Sequence, residues 1–343
     1  GVATTLIGLL PTYASIGVLA PLMLVLLRFV QGLAIGGQWG GAMLLVTENA
    51  PVEKRGWYGA YAQAGAPVGV ILANLAFLGV SAGLTEEEFM DWGWRLPFIA
   101  SFVLIIISMY VQLKLEDTPA FKALAESKAE NPDEASGLEK SPVAEVIRRY
   151  PKRIVLAAGA FLSIQVTFYI LIAFIVAYGV NSPTVELSRD VMLTAVLIAA
   201  AIMVPTQFYF SGLSDRIGRK RVYQWGAILT GFWGFALFPL IDTGNPYAIV
   251  LAVSLGLVFL GMQYGPQAAF FTELFSTEVR YSGASLGYQL GAIVGGALAP
   301  TIAVLLWNNF GIFYVSLYIA LAAALTLLSL SALTETQGKD LTE

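Results

Sequence analysis

Two acid–base spacings repeat in this sequence: Glu48 stands seven residues before Arg55, and Glu273 stands seven residues before Arg280. Each spacing brings opposite charges near each other where a helix ends and the chain turns, so each is a candidate charge pair closing its own turn. A denser set, Asp215, Arg216, Arg219 and Lys220, crowds around Gly218. Ordinary solvated basic residues account for the cations of that set. They do not account for Asp215 embedded among them, which an ionic latch between helix ends explains. The remaining candidates are uncharged: Gln38, Gln263 with Gln267 one turn on, Gln165 with Tyr169 at the same spacing, and Tyr264. Amides and hydroxyls bind polar ligands reversibly, or tie helices together, without breaking covalent bonds.

The chain has no Cys and no His, which removes the usual ligands of zinc, haem and iron–sulfur clusters, and any disulfide. No metal or cofactor is expected, and no catalytic dyad is visible among the candidates, so an enzyme is not expected. A net charge of -4, with basic residues spread over separate turns, gives no footprint for nucleic acid.

The surroundings of these residues set their meaning. Of 343 residues, 57% are hydrophobic and 12% charged, with a mean hydropathy of +0.73; a soluble chain carries about 25% charged residues. Apolar runs of about twenty residues recur throughout, each enough to cross a hydrocarbon layer ~30 Å thick as a helix. The pattern predicts an all-α membrane protein with nine complete spans, at 18–48, 57–80, 95–115, 154–180, 191–211, 222–241, 247–273, 282–306 and 311–333, and a partial one over 1–10. Lys and Arg fall on alternate turns, with Arg95 and Arg189 the exceptions, and the positive-inside rule makes those turns cytoplasmic. Trp92, Trp94 and Trp307 fall at the opposite boundaries and read as headgroup-depth anchors. A charged segment that includes Pro119, Pro132 and Pro142 divides the chain into an N-terminal bundle (1–115), a cytoplasmic linker (116–152), a C-terminal bundle (153–333) and a cytoplasmic tail (334–343).

The two bundles are related. At an offset of 225 residues "GGQWG" (36–40) overlies "GMQYG" (261–265), Trp39 falls on Tyr264, Glu48 on Glu273 and Arg55 on Arg280. After a one-residue slip, Gln63, Gly65 and Gly69 match Gln289, Gly291 and Gly295. Both copies cross in the same direction, as in a parallel repeat about an axis along the membrane normal. Extending the offset backwards predicts about two further helices upstream of Gly1, which itself opens inside an apolar run.

Within this frame Gln38 and Gln263 lie near mid-span, where an unpaired amide is costly, so each is expected to face protein or a wet cavity. Their symmetry allows both to line one cavity on the axis, with Gln165, Tyr169, Tyr264 and Gln267 extending it; interhelical hydrogen bonding is the alternative for every one of them. Arg28 is the only formal charge well inside a span, with its counter-ion expected on the upstream helices, or else with its head reaching the outer headgroups. Gly32, Gly36 and Gly40, and Gly283, Gly287, Gly291 and Gly295, recur every fourth residue and give smooth faces for close helix approach, either as static packing or as surfaces on which helices rock.

At these residues the chain resembles the major facilitator superfamily, in its metabolite:proton symporter branch of proline/betaine, alpha-ketoglutarate and shikimate-type transporters. "DRIGRKR" (215–221) resembles the signature between the family's helices 8 and 9, with Ser211 where Gly usually begins it. "RFVQGLAIGG" (28–37) resembles the helix 4 signature, and "EDTPAF" (116–121) and "TELFSTEVRYSGASLGYQLGAIVGG" (272–296) are typical of the branch. One departure is Gln38, where the branch commonly has Glu. The resemblance implies two pseudo-symmetric six-helix bundles in a bacterial cytoplasmic membrane, monomeric, importing a small polar metabolite (organic acid, amino acid or betaine) by proton symport through alternating access. A sugar-porter-like or antiporting facilitator, and a non-transporting sensor on the same fold, are the rival readings.

Overall fold

The computed structural model describes residues 1–36, 38–114, 142–275 and 280–338. The "EDTPAF" motif and most of the expected linker lie outside them, as do part of the 272–296 motif and the end of the tail. The described residues are helical and contain no strand. A short helix α1 (Val2–Gly8) is followed by three spans of the first half: α2 (Leu19–Glu48), α3 (Val52–Gly83) and α4 (Arg95–Lys114). A helix α5 (Pro142–Arg149) leads into six spans of the second half: α6 (Pro151–Asn181), α7 (Arg189–Ile217), α8 (Arg219–Ile241), α9 (Pro246–Thr272), α10 (Arg280–Phe310) and α11 (Ile312–Ala332). All nine expected spans are therefore present as helices among the described residues, displaced at their ends by a few positions.

Local chemistry sets several of these ends. The Ser188 hydroxyl accepts from the Val191 N–H to start α7, and the Asn245 side chain accepts from the Tyr247 N–H, with Pro246 opening α9. Between α7 and α8 the turn is made by Gly218 at φ +110, and between α10 and α11 by Gly311 at φ +99, a region that side chains with a Cβ avoid. A Thr85–Glu88 capping box begins the short helix between α3 and α4; both Thr85 groups donate to the Glu88 carboxylate and hold it below the usual carboxylate range.

The core lies in the second half, where Phe161, Phe174, Phe238, Phe270 and Phe271 are fully enclosed. One close seam in it is between α6 and α10. A Cβ built on Gly287 would meet the Ala157 Cβ at 2.7 Å, one on Gly291 the Phe161 Cβ at 2.6 Å, and one on Gly295 the Gln165 Cβ at 3.0 Å. Three of the four expected glycines thus pack, rung by rung, against an equally spaced face of α6, while Gly283 lies against the Phe275 ring. The other glycine set behaves differently: Gly32 meets nothing and Gly36 meets only its own helix, while Gly40 lies against Ser285 and the Tyr281 carbonyl of α10.

The halves meet along two lines. The start of α3 packs on α7 and α9, with Trp57 and Tyr61 edge-on to Phe208 and the Gln207 amide donating to the Ala60 carbonyl. The second half of α2 packs on α10, where Trp39 stacks on Tyr288 with centroids 4.6 Å apart and the Gln289 amide donates to the Gly36 carbonyl. Both lines converge on the end of the bundle that carries Glu48, Asp215 and Glu273, called the charged end below.

Candidate functional site

The repeat places an arginine at the start of a span in each half, and the structure treats the two alike. Arg55 donates through Nε to the Thr47 carbonyl, and Arg280 through Nε to the Phe275 carbonyl, so each guanidinium is fixed to the helix end of its own half. Their outer nitrogens then cross to the other half: Arg55 to Glu273 at 3.2 Å, and Arg280 to Glu48 at 3.4 Å. This corrects the expected pairing of Glu48 with Arg55 and of Glu273 with Arg280. Charges close in sequence sit in one bundle, whereas a twofold relation places each beside the other bundle's counterpart.

Asp215 joins the same network as a second bridge. Its carboxylate accepts from the backbone N–H groups of Gly56 and Trp57 at 2.8 and 2.9 Å, at the N-terminal end of the helix Arg55–Gln63. An anion is favoured there by the free N–H groups and the helix dipole. Arg219, fully buried, links Asp215 and Glu273. Gly56 is essential to this approach, since a Cβ would collide with the Arg219 guanidinium and stand 2.9 Å from Asp215 Oδ1. Three acids (Glu48, Asp215, Glu273) and three arginines (Arg55, Arg219, Arg280) thus balance in a nearly dry cluster, the condition under which buried charge is tolerated. Two expected members fall outside it. Arg216 is exposed, and the Lys220 ammonium donates to the Ser331 and Leu333 carbonyls.

The chain after α11 returns to this cluster, a feature the sequence did not reveal. Glu335 accepts from the N–H groups of Arg219 and Lys220 and so caps α8, while the buried Thr336 hydroxyl donates to Glu273 Oε2 at 2.8 Å.

Deeper in the bundle lies a second layer of amides. Gln63 accepts from the Trp39 indole N–H at 3.1 Å and donates to the Tyr264 carbonyl and to Gln267 Oε1, at 2.9 and 3.1 Å. Gln267 passes the chain on to the Tyr223 hydroxyl, which donates to the Ala160 carbonyl. Gln63 was visible as a repeat match of Gln289 but was not among the expected site residues. The signal lay in the match itself: both glutamines donate across to the opposite half.

Beyond that layer Gln165 sits beside the Tyr288 hydroxyl, and Tyr169, Tyr264 and Tyr288 come within electrostatic reach of one another. Trp39 and Phe161 complete an aromatic wall. The π-helical turns Ile170–Phe174 and Ala292–Ala297 fall at this level on α6 and α10, with Gly296 against the Tyr169 ring; such turns mark departures from regular helix, often at functional sites. This group can hold a polar molecule by hydroxyl and amide hydrogen bonds or stack a flat or cationic one.

The symmetric pair expected to line the axis is not formed. Gln263 is wholly enclosed in its own bundle and donates to Thr230 Oγ1 at 2.7 Å, the interhelical alternative, while Gln38 is exposed. The close packing that buries Gln263 also brings Gly226 of α8 against it. Arg28 is exposed and donates to Gln31 one turn on, which in turn bonds Thr4.

The model of the Major Facilitator Superfamily matches residues 1–286. The "Inner membrane metabolite transport protein YhjE" of Escherichia coli K12 is 41% identical over 99% of this chain and 76% of its own length. The shikimate transporter of the same organism is 35% identical over 97% and 74%, and the proline/betaine transporter of Salmonella typhimurium 31% over 99% and 68%. Among solved structures, the proton:xylose symporter XylE bound to 6-bromo-6-deoxy-D-glucose superposes with a TM-score of 0.75 at 15% identity, over 100% of this chain and 80% of its own, a likeness of fold. With nine spans among the described residues, a twofold repeat and these relatives, the chain belongs to the major facilitator superfamily, as a multi-pass membrane transporter rather than an enzyme.

Proposed function

We propose that this protein imports a small polar metabolite, of the organic acid, amino acid or betaine class, by proton symport through alternating access. The observation that carries the reading is the crossed set of buried ion pairs, Arg55–Glu273 and Arg280–Glu48, which joins the halves at the charged end through groups that can exchange partners. The charged end is the cytoplasmic gate, drawn closed, with the linker and tail on that side. The amide layer around Gln63 and Gln267 is its floor, and the aromatic group of Gln165, Tyr169, Tyr264 and Tyr288 is the substrate site above it. Relatives that bear the names of metabolite, shikimate and proline/betaine transporters support the substrate class. For alternating access, substrate and proton together must favour release of the crossed pairs more than either does alone.

The test is uptake of a panel of labelled metabolites into proteoliposomes bearing the full-length protein, with and without an imposed pH gradient. Accumulation that follows an inward proton gradient is expected. Exchange without net accumulation makes the protein an antiporter, and binding without uptake makes it a sensor.

A further inference from the structure

Outside the gate, one groove runs along the membrane-facing side of α8 and α11. It begins at the charged end as a space of about 610 Å³ beside Arg216 and Arg221 and continues into one of about 690 Å³ bounded by Gln224 and Trp225. It then narrows to an apolar slot of about 200 Å³ that reaches Phe235. The three spaces share walls, Arg221 and Gln224 at the first junction, Ile228 and Ala324 at the second. From Arg221 to Phe235 is about 21 Å at ~1.5 Å per residue, somewhat more than one leaflet of a ~30 Å hydrocarbon layer.

The charges in the groove are uneven. Glu335, its one carboxylate among the described residues, is already met by four backbone N–H groups, those of Arg219, Lys220, Thr336 and Gln337. Lys220 is committed to backbone carbonyls. Arg216 and Arg221 are exposed and form no ion pair among the described residues. Two uncommitted guanidiniums therefore stand at headgroup depth over a long apolar trough whose floor is made of small residues, Gly231 and Ala320, and whose mouth carries an exposed Trp225.

We infer that this groove is a binding site for an anionic phospholipid, with the phosphate between Arg216 and Arg221 and one acyl chain lying between α8 and α11. Guanidinium forks match phosphate oxygens in pairs, and the slot length matches a chain rather than a soluble anion. The inference requires only that the helices span a membrane and is independent of the transport cycle proposed above.

The test is native mass spectrometry and thermal unfolding of the purified full-length protein with dioleoyl phosphatidylglycerol, dioleoyl phosphatidylcholine or glycerol phosphate. At about fivefold per juxtamembrane cation, the wild type is expected to retain phosphatidylglycerol at least ~5-fold better than phosphatidylcholine and to melt higher with it. The double substitution R216Q/R221Q removes the preference while leaving the detergent melting temperature unchanged. Ala324→Phe, at an exposed slot position, lowers retention of phosphatidylglycerol. Equal retention of the two lipids, an undiminished preference in R216Q/R221Q, or equal stabilisation by glycerol phosphate alone would overturn the inference.

Discussion

Arg55 of α3 reaches Glu273 of α9 across the boundary between the halves, and its repeat counterpart Arg280 reaches back to Glu48 of α2. The halves are thus joined by the same contact made twice. Removing one partner of a buried pair costs about 3–5 kcal/mol where the other charge is left uncompensated; without Arg55, Glu273 still has Arg219 and the Thr336 hydroxyl, so the cost falls below that range. Arg55→Ala is therefore expected to destabilise the fastened state and to expose the charged end. Cysteine labelling of positions lining that end should accelerate severalfold.

Asp215 holds two backbone N–H groups of the opposite half. An Asn side chain keeps one acceptor and loses the charge, forfeiting about 1.5–3 kcal/mol of charged hydrogen bonding. Asp215→Asn should cut uptake roughly tenfold or more with unchanged amounts of protein in the membrane. Normal uptake would remove Asp215 from the gate.

The close α6–α10 seam and the open surroundings of Gly79 on α3 predict opposite outcomes for two glycines. Gly291→Ala sets a methyl 2.6 Å from the Phe161 Cβ, an overpacking that costs about 1–3 kcal/mol, and should lower the melting temperature. Gly79→Ala meets nothing within 4 Å inside a helix and should stabilise by about 0.5–1 kcal/mol. Thermal unfolding of the two variants side by side distinguishes local packing from a general sensitivity of glycine positions.

Gln63 satisfies three groups at once: the Trp39 indole, the Tyr264 carbonyl and Gln267 Oε1. Gln63→Leu strands the Trp39 indole N–H and Gln267 Oε1, each worth about 1–3 kcal/mol when unmatched, and removes the second bond to the Tyr264 carbonyl, which keeps its helical one. Uptake should fall severely, while Gln38→Leu, at an exposed position with no side-chain hydrogen bond among the described residues, should leave protein stability unchanged. A stable, fully active Gln63→Leu variant would show that the amide layer does not form the gate floor.

The spans were legible because hydrocarbon imposes a length and a composition on any helix that crosses it, and the repeat was legible because Glu48 and Arg55 recur as Glu273 and Arg280 at one offset. Which acid met which arginine was not. Chain proximity argues for partners seven residues apart, and only the placement of one bundle beside the other reveals that they swap. Gln263 misled for a related reason: mid-span polarity says that an amide needs a partner, but not whether Thr230 of its own bundle or an open cavity provides it. The role of Glu335 and Thr336 carried no sequence signal, since a short polar stretch after the last helix reads as solvated chain.

That stretch constrains how the protein can be handled. Because Glu335 caps α8 and Thr336 bonds Glu273, an affinity tag or fluorescent reporter joined directly behind Leu333 would pull these two residues from their seats and bias whatever is then measured. A flexible spacer placed after Gly338 leaves them seated, so the attachment point itself becomes an experimental variable.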